Sequence, residues 1–177
     1  NQACISVKNN EMGRLRVEGK EIVNNQGPFL IKSIGTGNWM IQEGYMMQST
    51  DAGIGTHTEF RTKLEQEIGE ERTAEFYQDW LDNHMTKSDL DSMKAWGFNA
   101  IRPALHYKWF TLPIQDEPVS GQHTWVNAGF EKLDELMDWA AANQMYVMFD
   151  MHGAPGGQGK NSNINDYDEN LPSLFED

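Results

Sequence analysis

The chain has 177 residues, 38% hydrophobic and 23% charged, which are values for a globular domain with a real core rather than for a disordered chain. Its formal net charge of -13 argues against nucleic acid and anionic membranes as partners, because nothing balances a phosphate backbone, while a neutral sugar polymer is not opposed. The single cysteine, Cys4, excludes an internal disulfide and a cysteine-based metal cluster, and no apolar run approaches the ~20 residues of a membrane span.

The chain opens at Asn1 rather than Met, so a removed leader is expected, and with it a secreted or cell-surface protein, bacterial in source. Leu15-Arg-Val-Glu18 and Glu21-Ile-Val23 flank Gly19-Lys20 and predict a β-hairpin. The turn Asn24-Asn-Gln-Gly27 leads into a first strand over Phe29–Ile34. Residues Thr36–Thr58 form a long glycine-rich and polar loop carrying Trp39, Glu43 and Tyr45, and a loop of that length in a compact domain is functional or mobile.

Glu59–Asn83 has helical spacing, with Gly69 dividing it in two. Thr86 with Asp89 three residues on predicts a helix start, and Leu90, Met93 and Trp96 predict its apolar face. Gly97 ends that helix and Asn99–Leu105 is the second strand. Phe130, Leu133, Leu136, Met137 and Ala140 mark an amphipathic helix. The run Met145-Tyr-Val-Met-Phe-Asp-Met-His-Gly153 is the third strand, followed at once by Pro155, Gly156 and Gly157. Strands alternating with helices imply a parallel sheet with right-handed crossovers. A complete (β/α)8 barrel takes about 250 residues, so residues 1–177 are expected to be the N-terminal part of one such domain, with a hairpin and about three β/α units.

Several motifs fail on inspection. Gly35-Thr-Gly37 and Gly53-Ile-Gly55 lack the third glycine of a dinucleotide loop, since Met40 and Thr58 stand in its place. Asn161, Asn163 and Asn165 alternate like a calcium loop, but Asp166 holds the glycine position and Pro172 the final glutamate position. His57-Thr-Glu59 lacks the cysteine pair of a zinc deaminase. No cofactor and no metal are expected.

Polar residues at the carboxyl ends of barrel strands face the active site. That rule selects Arg102, His106, Asp150 and His152 as supporting residues. A guanidinium in an otherwise apolar strand can orient a catalytic carboxylate with fixed donors. The Gly-Ala-Pro-Gly run after His152 frees the backbone for close ligand approach.

Gly97-Phe-Asn-Ala-Ile-Arg-Pro103 with Phe149-Asp-Met-His-Gly-Ala-Pro-Gly156 resembles glycoside hydrolase family 5, a (β/α)8-barrel family. Leu15–Val23 is similar to the hairpin before its first strand, and Gly37-Asn-Trp-Met-Ile-Gln-Glu-Gly-Tyr45 to the first-strand loop of its glucan-cleaving branches. The resemblance implies a retaining enzyme for β-linked glucans, in the first place an endo-β-1,4-glucanase, with β-1,3-glucan and mannan as alternatives. A carbohydrate-binding protein without catalysis is the alternative of another class. The resemblance also implies that Arg102 contacts the nucleophilic carboxylate and that His152 lines the sugar site. By the looser match, Glu43 bonds sugar hydroxyls, and Trp39 and Tyr45 bind substrate.

In the family the two catalytic groups are glutamates ending the fourth and seventh strands, the first in an Asn-Glu pair. Here Asn10-Glu11 precedes the fold, so both glutamates are expected beyond Asp177. The C-terminal half of the barrel is then expected as a continuation or as a second chain cut in the Gly- and Asn-rich loop after strand three, Gly156–Asp177.

Overall fold

The computed structural model describes residues 12–113, 116 and 121–171. Cys4 and Asn10-Glu11 lie outside the described residues. The hairpin forms as expected, with β1 (Arg16–Glu18) antiparallel to β2 (Glu21–Asn24) and Glu18 opposite Glu21. A short β3 (Gly27–Pro28) adds to its other edge.

The first sheet strand, β4 (Ser33–Thr36), starts later than the apolar run Phe29–Ile34 suggests. The cause is Asn99, whose side chain takes Lys32 N at 2.7 Å and donates to Leu30 O at 2.8 Å. Leu30 O and Lys32 N therefore bond to a side chain instead of a ladder, and Leu30 is left 74% exposed. Parallel to β4 runs β5 (Ala100–His106), the central strand, with Ser33 beside Ala100 and Thr36 beside Pro103. The third strand comes in two pieces, β6 (Tyr146–Val147) and β7 (Asp150–Gly153), both parallel to β5.

A short α1 (Gly44–Met47) lies in the long loop, followed by α2 (His57–Ile68), α3 (Glu70–Asn83), α4 (Lys87–Ala95), α5 (Asn127–Ala142) and a short α6 (Ser162–Asn165). Gly69 separates α2 from α3 at φ +85, a left-handed value that only glycine adopts without cost. Thr86 and Asp89 form a capping box, Thr86 N donating to Asp89 Oδ2 at 2.8 Å. Leu90 is buried as expected, but Trp96 sits past the last turn and is 71% exposed, so the apolar face ends at Met93.

The core lies between the sheet and the helices. Ile101 and Leu105 of β5 meet Leu81, Leu90, Leu136 and Ala140 from α3, α4 and α5. Their partners Trp39, Met40 and Phe110 come from loops. Odd-numbered residues of β5 thus face the helices, which leaves Arg102 on the opposite, barrel-inner face. Among the described residues neither β4 nor the β6–β7 strand has a partner on its outer edge.

A second capping box opens α2, where Glu59 N donates to Thr56 Oγ1 at 3.1 Å and Thr56 N to Glu59 Oε2 at 3.1 Å. Thr56→Ala is expected to cost about 1 kcal/mol, read as a lower urea midpoint with an unchanged slope.

Candidate active site

Arg102 and the Asp150–His152 pair come from adjacent parallel strands, with Ala104 of β5 beside Asp150 of β7. Arg102 Nη2 donates to Asp150 Oδ2 at 2.6 Å, and His152 Nδ1 lies 2.9 Å from the same oxygen. One carboxylate oxygen therefore holds both side chains at the carboxyl end of the sheet. The Arg102 side chain is half exposed, and Asp150 and His152 are about a quarter exposed, so all three line an open face.

The loop after β4 delivers Glu43 to the same place. Asn38 adopts φ 63, and its Oδ1 accepts from Glu43 N at 2.9 Å. Gly44 then passes the backbone of Gly55 so closely that an added Cβ would stand 2.7 Å from Gly55 Cα, and Gly44 N donates to Gly55 O at 3.1 Å. Glu43 is buried. Burial raises its carboxyl above the usual range, while the charges of His152 and Arg102 and a hydrogen bond from Tyr45 pull it back. The Tyr45 hydroxyl is raised in turn by desolvation and by the Glu43 charge, though its ring is 58% exposed. Arg102, Asp150, His152, Glu43 and Tyr45 thus form one group.

Trp39 does not join them. It is 1% exposed, and its Nε1 donates to Leu81 O at 3.0 Å, so its ring belongs to the core and offers no platform to a sugar. The chain turns inward directly after Gly37, burying Trp39, Met40 and Ile41 in succession.

His106 also stands apart. The β5–β7 register shifts between Leu105 and His106, and the strand end is roofed by α2 and the loop after β7. His106 is 1% exposed and stacks on His57 at 4.7 Å. Its Nε2 lies 2.9 Å from Asp166 Oδ2, and its Nδ1 accepts from Lys108 N at 3.2 Å. It is a buried structural residue instead of an open active-site group. Burial holds both His106 and His57 below the usual imidazole range, against the pull of Asp166.

Asp166 is the residue that sequence reasoning passed over. Its carboxylate accepts from Thr58 N at 2.8 Å and Thr58 Oγ1 at 2.6 Å, capping the start of α2 from 108 positions away. Burial raises its carboxyl, yet the His106 hydrogen bond, the His106 and Lys108 charges and Thr58 outweigh this and hold it well below the usual range. It takes φ 56 at the end of α6, a conformation that aspartate tolerates better than most residues. The signal was present at the glycine position of the failed calcium loop, where an αL residue belongs. The loop after β7 is anchored as far as Asp166 by the buried Gly156, Gly157 and Asn165, while Gln158, Lys160, Asn161 and Asn163 are exposed.

A cleft of about 560 Å³ opens between Tyr107, Lys108, Lys160, Tyr167 and Asp168. None of Arg102, Glu43 or His152 lines it. Convergent polar groups, not hollow volume, identify the candidate site, because the chain supplies one wall of an open face. Among the described residues no three His, Cys, Asp or Glu groups are placed to hold a metal ion, and no helix is long and apolar enough to cross a membrane.

The chain is 28% identical over 148 residues to a "Beta-xylosidase" of Phanerodontia chrysosporium, which covers 83% of this chain and 29% of that protein. It is 31% identical over 147 residues to a "Probable glucan 1,3-beta-glucosidase A" of Aspergillus niger, covering 82% of this chain and 33% of the relative. Among solved structures, the rutinosidase of Aspergillus niger superposes with TM-score 0.54 at 18% identity over 75% of this chain and 36% of its own. AoRut does so with TM-score 0.57 at 19% identity, over 77% and 36%. The chain therefore spans about a third of the length of these relatives, and its parallel strands with outer helices are part of a (β/α)8 barrel. These relatives are fungal, so the expected bacterial source has no counterpart among them. A model described as "Cellulase (glycosyl hydrolase family 5)" matches residues 56–176, and the chain belongs to that family.

Proposed function

We propose that this chain forms one wall of the cleft of a retaining glycoside hydrolase acting on β-linked glucans. The observation that carries the reading is the convergence of Arg102, Asp150, His152 and Glu43 at the carboxyl ends of parallel strands, where barrel enzymes keep their chemistry. Retaining cleavage needs two carboxyl groups about 5–5.5 Å apart, one donating a proton to the leaving oxygen and one attacking the anomeric carbon. We assign both to glutamates of a complementary half-barrel, either continuous with this chain or a second chain, which would also cover the unpaired strand edges. Arg102 has donors beyond the one spent on Asp150 and is placed to hold the attacking carboxylate ionised. Glu43 and His152 supply polar contacts to sugar hydroxyls, and Tyr45 an exposed ring at the rim.

Within β-glucans we favour β-1,3 links over the endo-β-1,4 cleavage first expected. The Gly37–Tyr45 loop suits that branch, and several relatives bear the name glucan 1,3-beta-glucosidase. A polymeric substrate suits a secreted or cell-surface protein. Full-length protein is expected to release reducing sugar from laminarin faster than from carboxymethylcellulose or mannan. Cleavage of none of the three sinks the hydrolase reading, and binding without cleavage points to a carbohydrate-binding protein.

A further inference from the structure

Asp150 is the hinge of the cluster. Its Oδ2 meets Arg102 Nη2 at 2.6 Å and His152 Nδ1 at 2.9 Å. An ionised carboxylate only accepts hydrogen bonds, so the ring nitrogen facing it must carry hydrogen. The other tautomer would set two acceptors 2.9 Å apart. The backbone is fixed as well, since Gln158 Nε2 donates to His152 O at 2.7 Å. Gly153, the next residue, packs so tightly on His106 that an added Cβ would stand 2.5 Å from its ring. The segment bearing His152 therefore has little freedom to turn the imidazole over.

We infer that Asp150 is a positioning residue that locks His152 in the Nδ1–H tautomer, so that Nε2 presents a lone pair to the cleft. A neutral His152 then receives a hydroxyl hydrogen from the sugar instead of donating one. The same oxygen aims the Arg102 guanidinium, so one carboxylate sets both the donor and the acceptor of this wall. Only the owner of that hydroxyl rests on the hydrolase reading; the tautomer does not.

Long-range proton–nitrogen spectra of histidine-labelled full-length protein, above the titration of the ring, read the tautomer directly. Hydrogen on Nδ1 of His152 is expected, and hydrogen on Nε2 overturns the inference. In Asp150→Ala the ring is expected to pass mainly to the Nε2–H form, with kcat/KM on laminarin lower by roughly 10- to 100-fold. An unchanged tautomer in that variant overturns the positioning role, as does activity within about twofold of wild type. The wild-type spectrum decides the first point even if the variant fails to fold. The expected tautomer in a protein that cleaves no glucan supports the role of Asp150 and overturns only the reading of the substrate.

Discussion

Arg102→Ala in the complete barrel is expected to lower kcat/KM by roughly 100- to 1000-fold while the protein stays folded. Arg102 projects from β5 between Ile101 and Pro103, which are fully buried on the helix-facing side and hold the strand without its help. Its own side chain is half exposed, so truncation opens no core cavity, and the lost ion pair with a partly solvated Asp150 adds little to stability. The functional loss is larger because the guanidinium does two things at once. One Nη is spent on Asp150, and on the proposed function the remaining donors of the fork keep ionised a carboxylate supplied by a complementary half-barrel. Arg102→Lys keeps the charge but not the planar fork, and is expected to recover only part of the loss. Steady-state kinetics alongside thermal midpoints separate the two effects. Retention of more than about a tenth of wild-type kcat/KM in the alanine variant removes Arg102 from the catalytic machinery.

The elements legible in the sequence are those set by near neighbours. The hairpin around Gly19-Lys20, the caps at Thr86 and the break at Gly69 each depend on a few adjacent residues, and each forms where expected. Arg102 and the Asp150–His152 pair were legible for a related reason. A polar group inside an apolar strand has few places to go, and strand alternation sends it to the barrel interior. What stayed hidden depends on distant contacts. Residues 29–32 have strand-like composition, but Asn99, some 70 positions on, takes the hydrogen bonds of Leu30 O and Lys32 N, while Phe29 N turns back to Ile22 O. Trp39 looked like a cleft aromatic, and only its bond to Leu81 O shows that the loop carries it into the core. His106 follows the inward parity of Arg102, yet α2 and the loop after β7 cover it.

Asp166→Ala is expected to destabilise the protein by about 3 kcal/mol, the largest stability loss of any single polar substitution proposed for this chain. The carboxylate is 6% exposed and serves Thr58 N, Thr58 Oγ1 and His106 Nε2 together, so its removal strands the buried His106 ring at the end of β5 and takes the cap from Thr58 at the start of α2. The loop after β7 loses its tie to α2, and proteolysis after Gly157 is expected to accelerate in step.

The same cluster sets the response to acid. Buried His57 and His106 have folded values below the usual imidazole range, so the unfolded chain takes up protons first as pH falls below ~6.5. Their contribution to stability is complete above that point and is lost between it and their lowered folded values. Asp166 is also depressed, so its contribution is complete above ~3.9 and is lost only as pH falls through its own low folded value. Lys108 beside the cluster opposes protonation of both rings, and Arg61 adds to this at His57. Acid unfolding should therefore begin at the histidines and end at the aspartate. Thermal midpoints of the wild type are expected to fall between about pH 6.5 and 5, and His57→Gln, which keeps an acceptor for Gln42 N, to flatten that slope. A wild-type midpoint that stays level across this window would show that the stacked histidines are not what makes the fold acid-sensitive.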